Sequence, residues 1–361
     1  MSTKFRHISD NHEEGLNRLT QPKIKTVFEE TYSIETIKQF AHKKDLYFQI
    51  EKSSLVENTI IDFLVFKQKL INFTLFIEAT QTNPVMIEKK HIDSIWSDEL
   101  SALAIQKKDL FLFKNYIKNL LNNTKSVVSD NKTKAIFMRE NSKIIINEVL
   151  SEPRSGEKIK EISNIVTDIS ESIISDSDML FNMLSLSSYD YYTYNHCLNV
   201  AVLCIGMGIL HGMRKRDLRH FGIGAMLHDI GKTLIAPEIL NKPTRLTEIE
   251  FRTMQRHVLD GVALMKENPA FPKESLDPLL YHHEKISGKG YPNMLKGSEI
   301  PLTGKIIGIA DCYDALTTSR PYKPAMTPFQ ALHVISQERE DYDPVLLTCF
   351  VKMLGKIKQK R

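Results

Sequence analysis

Hydrophobic positions change their period along this 361-residue chain, and the changes mark out its organisation. The first 32 residues are polar and aperiodic, which predicts a flexible arm over 1–32. Short β-branched and aromatic runs follow (LYFQI, LINFTLFI, VMI), and then apolar positions at helical spacing over 103–121. This texture predicts a small mixed α/β module over 33–125. Its histidines, His42 and His91, stand alone and it has no glycine loop of phosphate-binding type, so a regulatory or sensory role is expected of it. A polar break, SVVSDNKTK, opens a helical connector over 126–178, interrupted at Pro153 and Gly156. Within it Ile159, Ile162, Val166, Ile169 and Ile173 recur at alternating steps of three and four, a short heptad-like seam. Two readings of that seam stand: a helix packed on its own domain, or a connector that forms a homodimer.

From 179 onward the period stays near 3.6, over 198–210, 218–230, 248–265 and 328–338, and predicts an all-α domain over 179–361. Thr247, Ser275 and Thr327 stand at N-cap positions, and Glu250 completes a capping box with Thr247. The expected fold class is therefore α+β in two domains, the small mixed module first and the helical domain second. A fragment lacking 1–125 is expected to remain folded.

Charge narrows the partners. With 48 Lys and Arg against 44 Asp and Glu the net charge is +4, and there is no dense basic run, so DNA binding is not expected. Cys197, Cys204, Cys312 and Cys349 show no CxxC spacing and lie beside apolar residues, which predicts buried free thiols in a reducing cytoplasm. The apolar run 200–210 is about half of the ~20 residues that a membrane span needs, so no membrane anchor is expected.

The chemistry lies in the second half: His196, then His228 and Asp229 in HDIGK, His257, His282 and His283 in HHE, and Asp311 in IIGIADCYDAL. A single histidine is more often a hydrogen-bonded structural residue than a ligand. Two doublets in one stretch, each followed within a few residues by glycine, point instead to metal. An aspartate offers two oxygens and can bridge two cations, an imidazole takes one of them, and such mixed sets suit Fe, Mn or Zn. On a helix His228 and Lys232 would lie one turn apart, with Lys232 placed to meet a phosphate. Gly231-Lys232-Thr233 also mimics the end of a P-loop, but Met226 stands where its leading glycine belongs, which rules that motif out.

His282 and His283 can serve one centre only near a helix end, where Gly288, Gly290 and Pro292 supply the break. Tyr291 then offers an aromatic face and a hydroxyl at the mouth. The set reads as a two-metal phosphohydrolase, in which cations about 3.5–4 Å apart turn a bridging water into hydroxide and screen the phosphate. Lys232 would offset charge on the non-bridging oxygens. Asp314, close to one turn after Asp311, reads either as a supporting or purine-edge acceptor or as an exposed carboxylate.

HDIGK, PEILNKPTRLTEIEFRTMQRH ending at His257, HHEKISGKGYP and KIIGIADCYDALTTSRPYK, in this order over about 185–355, resemble the HD-GYP family, a branch of the HD phosphohydrolase superfamily. The resemblance implies hydrolysis of cyclic di-GMP to pGpG and onward to GMP by two divalent metal ions, Fe or Mn foremost, with Zn and others accepted. It implies His196, His228, Asp229, His257, His282, His283 and Asp311 as metal ligands, with Asp229 the bridge and Lys232 beside it in catalysis. Lys232, Tyr291, Arg320 and Lys323 would contact substrate, and Asp314 and Lys305 join that set as candidates.

Ser287 and Lys289 depart from the family's loop pattern, Ser287 with the loss of a hydrogen-bond anchor, and Lys305 replaces a more usual arginine. Tyr192 stands where some members carry a glutamate for a third metal, so two metals are expected. Two other readings accompany the departures: a weak or inactive protein that binds a cyclic dinucleotide or docks a diguanylate cyclase, and a phosphodiesterase for another cyclic dinucleotide such as cyclic GMP-AMP.

Overall fold

The computed structural model describes residues 46–69, 72–97, 102–122, 130–185, 193–242, 244–318 and 325–358. The arm expected over 1–32 lies outside them, as do Tyr192, Arg320 and Lys323.

The first part is a four-stranded antiparallel sheet in the order β1 (Tyr47–Ile50), β6 (Ala102–Gln106), β3 (Val65–Lys69), β4 (Asn72–Ile77), beside a two-stranded ribbon of β2 (Ile60–Ile61) and β5 (Val85–Met86). Phe48 faces Ile105 and Ile50 faces Leu103 in the β1–β6 register, and all four are buried. Helices α1 (Lys89–Trp96) and α2 (Leu110–Asn122) complete this part. Every third or fourth residue of α2 is apolar, and Leu110, Phe113, Ile117 and Leu120 are buried along that stripe. A small mixed module followed by helices is the architecture the sequence predicts.

The remainder is helical: α3 (Asn131–Ser151), α4 (Gly156–Ser175), α5 (Asp178–Ser185), α6 (Thr193–Leu210), α7 (Lys215–Met226), α8 (Pro237–Leu240), α9 (Glu248–Gln255), α10 (His257–Lys266), α11 (Leu276–Tyr281), α12 (Leu302–Thr317), α13 (Pro328–Gln337) and α14 (Pro344–Lys358). Thr247 and Thr327 cap α9 and α13 as their spacing predicts, each reciprocated by the residue three positions on, Glu250 and Gln330. Ser275 precedes α11 but makes no side-chain cap bond. The periodic stretch 248–265 is two helices rather than one, broken at Arg256 where His257 begins α10.

Helix α6 is the centre of the domain. It is the one described helix long and apolar enough to cross a membrane, and 83% of it is buried among the other helices. It packs on α7, α12 and α3.

The seam of α4 is resolved in favour of packing within the chain. Ile159, Ile162, Val166 and Ile169 are fully buried and Ile173 nearly so, against α3 and α7, which leaves the seam no exposed face for a homodimer. The connector is equally closed on its other side. α2 lies along α3, and Lys114 pairs with Glu148 at 2.7 Å and with Glu161 at 2.8 Å, tying α2 to α3 and α4. The buried hydrophobic residues from Phe48 to Leu354 form one continuous cluster. The boundary that composition suggested at 125 is therefore not a boundary of packing.

Candidate metal centre

Every candidate ligand except Asp311 enters the centre where a helix starts or stops. His196 lies in the first turn of α6, and Asp311 lies in the middle of α12. HDIGK is not α-helical, contrary to the expectation from its spacing. α7 ends at Met226, and Asp229 heads a tight 3-10 turn, Ile230–Leu234. The reason is Gly231: a Cβ there would stand 1.9 Å from the carbonyl oxygen of His257, so the turn presses backbone against backbone on the start of α10. In this turn Lys232 folds back onto Asp229, Nζ to Oδ2 at 2.6 Å. His282 and His283 fall just past the end of α11, the helix break that the doublet requires.

The imidazoles are held from behind. Nδ1 of His228 donates to the carbonyl of Ala225 at 2.8 Å, that of His257 to Met254 at 2.6 Å, and that of His282 to Leu279 at 2.9 Å. His196 donates to Oδ2 of Asp314 at 2.7 Å, and Asn199, one turn further along α6, donates to the other oxygen of Asp314 at 2.8 Å. A ring that gives Nδ1–H to an oxygen turns the bare Nε2 lone pair forward, as a metal ligand must.

The forward atoms fall into two groups around Asp229. His196 Nε2 lies 3.2 Å from Asp311 Oδ1 and 3.6 Å from Asp229 Oδ2, and His228 Nε2 lies 3.5 Å from the same Asp229 oxygen. On the other side, His257 Nε2 and His282 Nε2 are 3.4 and 3.8 Å from Asp229 Oδ1. His196, His228 and Asp311 form one set of converging donor atoms, and His257, His282 and His283 form another. His228, Asp229 and His282 join them in the middle. One carboxylate oxygen thus faces each set, the arrangement of a bridge.

Two of these atoms, His228 Nε2 and Asp229 Oδ1, are buried and have no hydrogen-bond partner. A buried lone pair without a donor is costly, and a cation held between the sets would satisfy both. The nitrogen and oxygen donors fit a divalent ion of intermediate softness.

Desolvation pushes His228, His257 and His282 below the ordinary imidazole range and takes His283 down to about 3. Burial also pushes the Asp229 and Asp311 carboxyls up. It is outweighed by Lys232 and the histidines at Asp229, and by His196 above all at Asp311, so both end well below the carboxylate range. His228, His257, His282 and His283 are therefore neutral imidazole and Asp229 and Asp311 ionised carboxylate, the form that binds metal.

The sign for stability follows. Below the ordinary histidine value of 6.5 the unfolded chain takes up protons that the folded chain refuses. Metal-free protein is thus most stable above about pH 6.5 and loses stability as pH falls toward the folded values. The aspartates act in the same direction, but only at still lower pH. A chelator-treated sample should show a Tm that drops from about pH 7 to about pH 5. A flat Tm across that range would contradict the buried neutral imidazoles.

The second-sphere residues were only partly legible. Of the readings of Asp314 the geometry favours the supporting one and corrects the other two: both of its oxygens are engaged by His196 and Asn199, and it is buried behind His196, so it is neither a purine-edge contact nor an exposed carboxylate. Lys305 has a partner of its own, Asp343 at 3.7 Å. Glu284, the third residue of HHE, was missed. It is buried and accepts from the backbone N–H groups of Asn293 at 2.6 Å and Leu295 at 3.0 Å, pinning the loop that carries Tyr291. Its signal in the sequence was a carboxylate fixed beside a histidine doublet.

Ser287 does not cost the loop its anchor, because its hydroxyl donates to Asp341 at 2.6 Å. Lys289 points away to Glu340. Gly290 is required by contact: a Cβ would meet the backbone of His283, Glu284 and Lys285 within 2.6 Å. The ring of Tyr291 consequently lies 4.6 Å from that of His283, and burial pushes its phenol well up, so it presents a neutral hydroxyl.

Comparison with known proteins agrees with this geometry. Residues 168–346 match the model of the HD domain family, and that stretch of the helical part is an HD domain. Its HDIGK, HHE and GYP motifs, seated as described, are those that resemble the HD-GYP branch of that family. It is 31% identical over 223 residues to the cyclic di-GMP phosphodiesterase PA4108 of Pseudomonas aeruginosa, covering 61% of this chain and 54% of that protein. It is also 31% identical over 187 residues to the 3'3'-cGAMP-specific phosphodiesterase 2 of Vibrio cholerae, covering 51% and 35%.

The chain spans about half the length, or less, of these curated relatives. Among solved structures, Bd1817 of Bdellovibrio bacteriovorus, described as an HDG"Y"P protein, superposes with a TM-score of 0.65 at 16% identity. The match covers 86% of this chain and 99% of that one, a likeness of fold that includes the N-terminal part.

Proposed function

We propose that this protein is a metal-dependent phosphodiesterase that hydrolyses cyclic di-GMP to pGpG, to GMP, or to both. The observation that carries the reading is the division of Asp229 between two sets of donors, with one oxygen on each. His196, His228, Asp311 and Asp229 would hold one divalent ion, and His257, His282, His283 and Asp229 the other. Bound there, such ions would activate water and screen the charge of a phosphodiester.

The chain's own residues do the rest. Asp314, Ala225, Met254 and Leu279 hold the imidazoles in the tautomer that faces the centre. Lys232, ion-paired to Asp229 at 2.6 Å and partly exposed, is within reach of an anionic oxygen brought to that carboxylate, and would offset charge there. Tyr291 closes the mouth and can donate its hydroxyl. In the overall reaction water supplies oxygen to phosphorus, the P–O bond to the ribose breaks, and the leaving oxygen takes a proton. Arg320 and Lys323 belong to the proposal as substrate contacts on sequence grounds alone.

A second reading keeps the chemistry and changes the base, since a relative named as cGAMP-specific is 31% identical over 187 residues, the same identity as the first relative named for cyclic di-GMP, over a shorter stretch. Protein purified without oxygen, assayed for bound metal and for turnover of both dinucleotides, separates the cases. Release of pGpG or GMP from cyclic di-GMP supports the first, and cleavage of cyclic GMP-AMP alone supports the second. Metal without turnover of either would refute both and leave a binding role. Lys232→Ala should retain two metals and lose about 100-fold in kcat, as removal of one charge-stabilising donor does. Unchanged kinetics would remove Lys232 from the mechanism.

A further inference from the structure

The two halves of the centre are supported differently. His257, His282 and His283 are held from within the helical domain, by the carbonyls of Met254, Pro278 and Leu279 and by the loop that Glu284 pins. The ring of His196 is held by Asp314 of α12, but its backbone lies in the first turn of α6, where N–H groups have no intrahelical partner and a helix holds its shape least well. That turn is braced from outside the helical domain. Tyr194, two residues before His196, stacks on Phe48 of β1 with ring centroids 5.0 Å apart and an interplanar angle of 26°. Both rings are buried.

Phe48 is in turn held from α3. Lys143, itself buried, lies 5.6 Å over the Phe48 ring and donates to the carbonyl of Gln49 at 3.1 Å and to Glu140 at 2.7 Å. Neighbouring positions on a helix point to different sides, so Tyr194 grips the far side of the turn that presents His196.

We infer that Phe48 is a positioning residue for the metal half-site of His196, His228 and Asp311, and that the N-terminal sheet sets the occupancy of this half alone. The inference rests on the two-metal reading above. A shift of β1 moves Tyr194, the first turn of α6 and hence His196 relative to Asp311, its neighbour at 3.2 Å. The opposite half, anchored elsewhere, stays in place. A signal received by the N-terminal part would then act on one of the two metals rather than on the fold.

The test uses full-length protein loaded with Mn(II), its stoichiometry and affinities read by chelator competition and its pairing by EPR. Phe48→Ala is compared with Phe113→Ala, the same truncation of another fully buried ring in the same module, with Phe63 and Tyr116 as its ring neighbours. Wild type should hold two equivalents with the signature of a coupled pair. Phe48→Ala should keep one tight equivalent, weaken the other at least about tenfold, and show an isolated Mn(II) spectrum, in line with the loss of an outer support of a ligand. Phe113→Ala should keep the coupled pair whatever its Tm.

Should the alanine variants fail to fold, Phe48→Leu and Phe113→Leu give the same contrast with the apolar volume largely retained. Two unweakened metals in the Phe48 variant, or equal losses in both variants, would overturn the inference. A wild type that binds no metal would instead overturn the metal centre itself.

Discussion

Asp229→Ala is expected to empty the centre and abolish turnover. The carboxylate faces both donor sets, so its loss removes a ligand from each rather than from one. It also leaves His196, His228, His257 and His282 crowded without the buried negative charge that compensates them, and frees Lys232 beside them. Assistance by two cations is worth several kcal/mol of barrier, and at 1.36 kcal/mol per decade a loss of ~4 kcal/mol slows the reaction about 1,000-fold. Metal analysis and a dinucleotide assay on the same sample test this. Full metal content in the variant would end the bridging role. One retained equivalent would mean that the two sets bind independently.

Removal of residues 1–125 is expected to destroy the fold rather than release a working domain, the reverse of what sequence texture suggests. The cut takes away α2, which covers α3, together with the Lys114 ion pairs to Glu148 and Glu161. It also removes β1 from Tyr194 and takes the Gln49 carbonyl from Lys143, a buried ammonium that would be left with Glu140 alone. Uncovering about five large apolar side chains costs on the order of 10 kcal/mol, comparable with the whole stability of an ordinary domain. Size-exclusion chromatography and thermal melting of the fragment 126–361 decide the matter. A monomer that melts cooperatively near the full-length Tm would show that the two parts are independent after all.

The contrast between these two expectations tracks what a linear sequence can carry. The candidate ligands were legible because metal coordination restricts residue type, and the fold brings the seven His and Asp side chains into converging groups that could hold a metal. The helices around them were legible from period, and the ends of α9 and α13 from their capping residues. What period could not reveal was that the seam of α4 would be consumed inside the chain, since a buried helix and a dimerising one bury the same stripe. Nor could it reveal the break at HDIGK, which follows from a contact between Gly231 and a residue 26 positions away. Asp314 and Glu284 were ambiguous or missed for a related reason: a carboxylate behind a ligand looks in sequence like any other carboxylate, and only its partners distinguish it.

That glycine contact has a further consequence. The strands of chain bearing Asp229 and His257 touch through main-chain atoms, with Gly261 on α10 completing the fit against Gly231. The gauge between Asp229 and the second donor set is therefore set by the thickness of two backbones, a dimension that any side chain added at Gly231 would force wider. Changes elsewhere can alter which ion enters, how substrate is gripped or whether the first half is filled. On the proposed chemistry, the spacing across which a phosphate would be spanned is held by that contact.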